Sequence, residues 1–121
     1  MINPMRNTIK AHNDFKTDRE YPFVTTDLFS IRTRAAKFPD DPRYGLVVSK
    51  RNFRFAVKRN RVKRLLRDWI AFANDYMCSN LDYVFFARVD ILNENVTREI
   101  GRETMVRALQ EIKNKNDHKS K

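Results

Sequence analysis

The stretch YGLVVSKRNFRFAVKRNRVKRLLRDW, Tyr44 through Trp69, changes its periodicity part-way along. Tyr44 to Lys50 is short, apolar and β-branched, and predicts a strand. From about Ala56 the apolar residues recur at helical spacing. With Arg59 at 0° and about 100° per residue, Val62, Leu65, Leu66, Trp69, Phe72, Ala73 and Tyr76 fall between roughly 220° and 340°. Arg59, Asn60, Lys63, Arg64 and Arg67 fall between roughly 0° and 140°. One face is built for a core and the opposite face is basic. Arg61, at about 200°, borders the apolar stripe and must turn outward or reach a partner that wraps the helix start.

Lys50 through Arg67 carry nine Lys or Arg in eighteen residues and no Asp or Glu. The chain as a whole has 121 residues, 25 basic and 15 acidic, for a net charge of +10 and a pI near 10.1. The other 103 residues hold 16 basic against 15 acidic, so nearly all the excess sits in one segment. A solvated helix face normally interleaves Glu with Lys. Here Arg59, Lys63 and Arg67 repeat like charge at i, i+4 and i+8, which costs a few tenths of a kcal/mol per pair. Cations in the first turn also oppose the helix dipole by about 0.3 to 1 kcal/mol each. Charge retained against those costs points to a polyanionic ligand. An amphipathic membrane helix would expose its apolar face, whereas this one turns Trp69 and the leucines toward a core. Arginine, which forks onto phosphate and stacks on bases, favours nucleic acid over lipid.

The rest of the chain frames that segment. At this length and 41% apolar content it suits one domain with one core, residues 1–121, with solvated ends at 1–12 and 114–121. Cys78 alone forms no internal disulfide, and His12 and His118 lie near opposite ends, so no metal ligand set is legible. No apolar run reaches the length of a membrane span and the N-terminus has no signal-like core, which predicts a cytoplasmic protein. HNDFKTDREY reads as a short helix starting near Asn13 or Asp14, with Phe15 turned inward, ended by Pro22. FVTTDLFSIRTR reads as extended, with Phe29 and Ile31 on one face and Ser30, Arg32 and Arg34 on a polar, basic open face. KFPDDPRYG is a turn by composition, and Asp40 and Asp41 between its prolines are turn residues. LDYVFFARV predicts a strand buried on both faces. NVTREIGRETMVRALQEI predicts a helix capped by Asn95, with Ile100, Met105, Ala108, Leu109 and Ile112 inward and Gly101 weakening it by up to about 1 kcal/mol. The fold class is α+β, two layers.

The segment Tyr44–Trp69 resembles the signature of the protein subunit of bacterial ribonuclease P: a strand ending Val-Ser-Lys-basic, a loop, Ala-Val, then Arg-Asn-Arg-x-Lys-Arg-x-x-Arg. The matching residues are Val48, Ser49, Lys50, Arg51, Ala56, Val57, Arg59, Asn60, Arg61, Lys63, Arg64 and Arg67. Element order agrees over about residues 7 to 113. The chain departs from the family pattern at Arg54 and Phe55, where Gly-Asn or Gly-Lys is usual, and in a first helix interrupted by Pro22.

The resemblance implies an α-β-β-β-α-β-α order with a small mixed sheet packed on helices and a left-handed crossover between parallel strands at 44–50 and 82–89. That is the class of the second domain of a small-subunit ribosomal protein. It also implies an RNA-facing set of Lys50, Arg51, Arg59, Asn60, Arg61, Lys63, Arg64 and Arg67. A cleft for the single-stranded 5′ leader of precursor tRNA would involve Phe15, Ser30, Arg32, Val47 and Ser49. For Phe15, ordinary core packing is an equal reading. The implied partners are the ribonuclease P RNA and precursor tRNA, with no obligate protein partner, no organic cofactor, no catalytic side chain, and Mg²⁺ held mainly by the RNA. The alternative reading is a structural ribosomal or RNA-assembly protein with no enzyme role. A duplex DNA binder is more distant, since no helix-turn-helix pair or dimer seam is legible.

Overall fold

The computed structural model describes residues 7–8, 20–38 and 43–119. Five strands and two long helices follow in the order β1 (Asn7–Thr8), β2 (Phe23–Thr25), β3 (Phe29–Ala35), β4 (Arg43–Val47), α1 (Ala56–Phe72), β5 (Leu81–Ala87) and α2 (Arg98–Lys119). The sheet order is β1-β4-β5-β3-β2. β4 runs parallel to β5 and to the two-residue β1, while β3 is antiparallel to β5 and β2. Parallel neighbours need a long crossover, and α1 supplies it between β4 and β5. The expected first helix, with Asn13, Asp14 and Phe15, lies outside the described residues, as do Asp40 and Asp41.

The segment expected to be continuously extended is a hairpin. Thr26 breaks it: its hydroxyl donates to the Phe29 carbonyl (2.9 Å) and accepts from the Leu28 and Phe29 amides (3.2 and 3.1 Å). A threonine in that role mimics a backbone turn and reverses the chain into β3. Beyond it the alternation is as expected, with Phe29, Ile31 and Thr33 buried between Ser30, Arg32 and Arg34. β5 is buried along six of its seven residues, with Phe86 partly exposed.

Leu81, Tyr83, Phe85 and Ala87 present one side of β5 to the helices. There they join Val24, Phe29, Ile31 and Tyr44 from the sheet, Val62, Leu66, Trp69 and Ile70 from α1, and Met105, Ala108, Leu109 and Ile112 from α2. The helix faces differ in detail from the wheel. Ile70 is fully buried, whereas Phe72 and Ile100 are 56% and 45% exposed. α1 ends at Phe72, and a short 3-10 turn at Asn74–Tyr76 carries Tyr76 off the helical wheel into solvent. α2 is capped by Thr97, whose hydroxyl accepts from the Ile100 amide (3.2 Å), rather than by Asn95, which sits in the preceding turn. The polar run after Lys113 continues α2 as far as Lys119. Asn116 is buried there and pairs its amide with that of Asn80 (3.0 and 3.4 Å).

Two contacts lock the helix layer. Gly101 lies so close to the Trp69 indole that a Cβ on it would sit 2.0 Å from Trp69 Cε2. Beside it, Arg102 grips Asp68 through two bonds (3.1 and 3.2 Å) and spreads its guanidinium over the Phe72 ring, 4.7 Å from the centroid. The Arg102 guanidinium holds the Asp68 carboxyl below its ordinary value of 3.8. A depressed carboxyl stabilises the fold above its unfolded pKa and loses that contribution as pH falls through the folded value. Both partners are about one-third exposed, so the effect is small. Asp68→Asn is expected to cost under about 1 kcal/mol at pH 7, and progressively less as the pH falls below the ordinary carboxylate range, in thermal unfolding at several pH values.

Candidate nucleic-acid interface

The basic segment begins where β4 ends. The Ser49 hydroxyl accepts from the Asn52 amide (3.2 Å) and its carbonyl from the Phe53 amide (2.9 Å), a tight turn that drops Phe53 into the core at 4% exposure. Arg59 reaches back from the first turn of α1, and its Nη1 donates to the carbonyls of Phe53 (2.9 Å) and Arg54 (3.0 Å). Of the eight residues in the expected RNA-facing set, Arg59 therefore braces the loop. Lys50, Arg51, Asn60, Arg61, Arg64 and Arg67 are exposed, and Lys63 is half-buried. Burial pushes the pKa of the Tyr44 phenol up, and the nearby Arg67 guanidinium lowers it in part. No acidic residue lies in the first turn of α1, and Phe55 at its N-cap offers no side-chain acceptor. A serine or aspartate in that place would contribute about 1 kcal/mol.

The far side of the sheet carries three residues of the other expected set, Ser30, Arg32 and Val47. Strand register aligns Val47, Phe86, Ser30 and Thr25 in one row across β4, β5, β3 and β2. Gly45, Val84, Arg32 and Phe23 form the next. Ser30, Arg32 and Val47 thus share a surface. Ser49 lies beyond the end of β4, its hydroxyl engaged in the turn, and Phe15 is outside the described residues. Arg34 does not add to an open basic face. It is bound to the fully buried Asp82 by its Nε (3.1 Å) and Nη2 (3.0 Å), so the cation left exposed is Arg32. The middle of this surface is covered, since Asp82 and Val84 have no exposure.

Phe23 and Phe86 are additions that the sequence reading missed. Phe23 is 51% exposed, with Arg32 and Lys115 placed 5.8 and 5.6 Å from its ring centroid. The Thr-Thr-Asp run before Leu28 was the available signal, because reading it as a turn puts Phe23 opposite Arg32.

A family model described as Ribonuclease P matches residues 4–113. The chain belongs to the ribonuclease P protein family. Curated ribonuclease P protein components from Pseudomonas putida (47% identical over 66 residues) and Brucella melitensis (40% over 85 residues) are similar to it. These matches cover 52% and 62% of this chain and 49% and 60% of the relatives, so the chain spans about half the length of the curated relatives it matches. Among solved structures, the ribonuclease P protein from Thermotoga maritima superposes with a TM-score of 0.71 at 23% identity, covering 87% of this chain and 96% of that one. The Staphylococcus aureus protein gives 0.66 at 22%, covering 88% and 94%. At such identity the superpositions establish a shared fold, an α+β sheet-and-helix layer pair common to these ribonuclease P proteins.

Proposed function

We propose that this chain is the protein subunit of a ribonuclease P ribonucleoprotein, binding the catalytic RNA through the exposed face of α1 and the 5′ leader of precursor tRNA on the far side of the sheet, around Val47, Ser30 and Arg32. The observation that carries the reading is that face: Asn60, Arg61, Arg64 and Arg67 stand exposed with no carboxylate between Lys50 and Arg67, on a helix whose opposite side is fixed in the core. Cations held on a rigid helix neutralise phosphates and release counterions without ordering a flexible arm. β4 ends at Val47 on that side and leads through the turn at Ser49 into α1, so one strand and one loop link the two surfaces. A leader held by stacking and backbone charge is bound with little regard to sequence.

The reaction assigned to the ribonucleoprotein is hydrolysis of a phosphodiester that releases the leader. Mg²⁺ would activate water and stabilise the leaving oxygen. Among the described residues no three His, Cys, Asp or Glu side chains come together to hold such an ion, and no step of the chemistry is assigned to this chain. Its part is to hold substrate and to offset repulsion between two RNAs, so that less Mg²⁺ is needed. Among the described residues no helix is long and apolar enough to cross a membrane, and the proposed setting is the cytoplasm.

The test is cleavage of a precursor tRNA at low Mg²⁺ by a bacterial ribonuclease P RNA, with and without the purified protein. Restored 5′ cleavage, with protein alone inactive, supports the subunit role. Salt-sensitive RNA binding without stimulation moves the reading to a structural RNA-binding protein. Arg64→Ala is expected to weaken binding to that RNA and to reduce the slope of log K against log salt by about 1. An unchanged slope removes Arg64 from the interface.

A further inference from the structure

We propose that Phe55 is a stacking anchor for the RNA: its ring takes the face of an unpaired base while the cations around it hold the flanking phosphates. The inference rests on the RNA-binding reading above and adds a residue to it. Phe55 falls where the chain departs from the family pattern, and its ring is 66% exposed. The core does not need it, because Phe53, two residues earlier, already plugs the base of this loop. The helix does not need the ring either, since Phe55 stands at the N-cap through its backbone and its side chain makes no capping bond. Val57 beside it is 79% exposed, so the first turn of α1 offers apolar surface to solvent on a protein whose other large side chains mostly reach the core.

The chemistry around the ring selects the occupant. Lys50, Arg51, Arg54 and Lys58 are exposed, and no acidic residue lies in the segment. An apolar, basic or zwitterionic partner would leave those cations unmatched, whereas a nucleotide matches both parts, with its base on the ring and its phosphates on the cations. Presentation is rigid. Arg59 pins the carbonyls of Phe53 and Arg54, the Ser49 turn fixes the other end of the loop, and the Phe55 carbonyl accepts the Arg59 amide (3.1 Å). A backbone held this way loses little freedom when the ring stacks, so less of the interaction is spent on ordering the loop. Arg59 thereby acts as a positioning residue for an RNA contact, in addition to any phosphate it meets.

The experiment titrates the full chain with a bacterial ribonuclease P RNA at several salt concentrations. Phe55→Ala is expected to bind about tenfold more weakly, with the salt slope unchanged, because a stacked base carries no counterion. Phe55→Leu should fall with alanine, and Phe55→Trp should keep the parent affinity and show its added fluorescence quenched by RNA. If the parent binds steeply salt-dependently and Phe55→Ala matches it, RNA binding stands and the anchor is wrong. If the parent does not bind, both readings fall together. If Phe55→Trp responds to vesicles of phosphatidylserine and phosphatidylcholine and not to RNA, the occupant is a lipid surface and the proposal is overturned. Should Phe55→Ala lower the Tm, the Phe55→Trp quench decides alone.

Discussion

Replacing Gly101 by alanine is expected to destabilise the protein by about 3 kcal/mol, even though alanine is the better helix former by about 1 kcal/mol. The added Cβ would lie 2.0 Å from Trp69 Cε2 and 2.2 Å from Cζ2. Trp69 cannot yield, since it is 1% exposed and its ring lies 6.3 Å from that of Phe29 in the core. The backbone at Gly101 is ordinary, as no described glycine has positive φ, so the requirement is for space alone. Thermal unfolding should show a Tm lower by about 10 °C. A gain in Tm would mean that α1 and α2 pack less closely than the structure has them.

Asp82→Ala is expected to cost about 3 to 5 kcal/mol, the range for removing one partner of a buried ion pair. The carboxylate has no exposure and accepts four bonds: two from Arg34, one from the Lys37 amide (3.3 Å) and one from the Arg43 amide (2.8 Å). It therefore ties β3, the loop after it and the start of β4 to the central strand. Removing the charge alone leaves the Arg34 guanidinium, 13% exposed, without its carboxylate. The double variant Arg34→Met, Asp82→Leu should recover part of the loss, because apolar replacements spare the desolvation of both charges. Recovery should be incomplete, since the two backbone amides still lose this acceptor at about 1 to 3 kcal/mol each. Urea titration of the two variants checks it, and full recovery would show that the amides have other partners of equal strength.

These two residues also mark where the sequence was legible and where it was not. Periodicity located β3, β4, α1, β5 and α2, because a period of two or of 3.6 reports directly which side of an element is wet. The signature spacing from Val48 to Arg67 located the basic face and the family, and the alternation placed Ser30 and Arg32 on one surface. Periodicity does not report which partner an element meets. Gly101 looked like a defect in a helix because the indole it accommodates belongs to another helix, 32 residues earlier. Arg34 looked like part of a solvated face because its carboxylate comes from β5. Arg59 stood with the ligand-facing cations on the wheel, and only the loop's path showed that it binds two carbonyls. Thr97 rather than Asn95 caps α2 because the helix starts at Arg98, and Asn95 lies in the turn before it with its amide bonded to the Asn93 side chain. Phe72 left the expected apolar face, and Ile70, which the wheel did not assign, entered it, because the buried arc is centred on the Trp69–Leu66 side, a rotation of tens of degrees that a 100° wheel does not resolve.

The ends of the sheet bear on how such a chain meets its own copies. An unpaired strand edge is a template on which another molecule can add a strand. β2, at one edge, spans three residues, which offers little ladder for lasting pairing. On β2 the Phe23 carbonyl is already taken by the Lys115 ammonium (3.0 Å), which puts a fixed positive charge on that margin. A second copy approaching edge-on would have to displace that cation while facing its own. The margin of the sheet at β2 thus carries a short strand and a cation, two devices by which edge strands resist pairing with another chain.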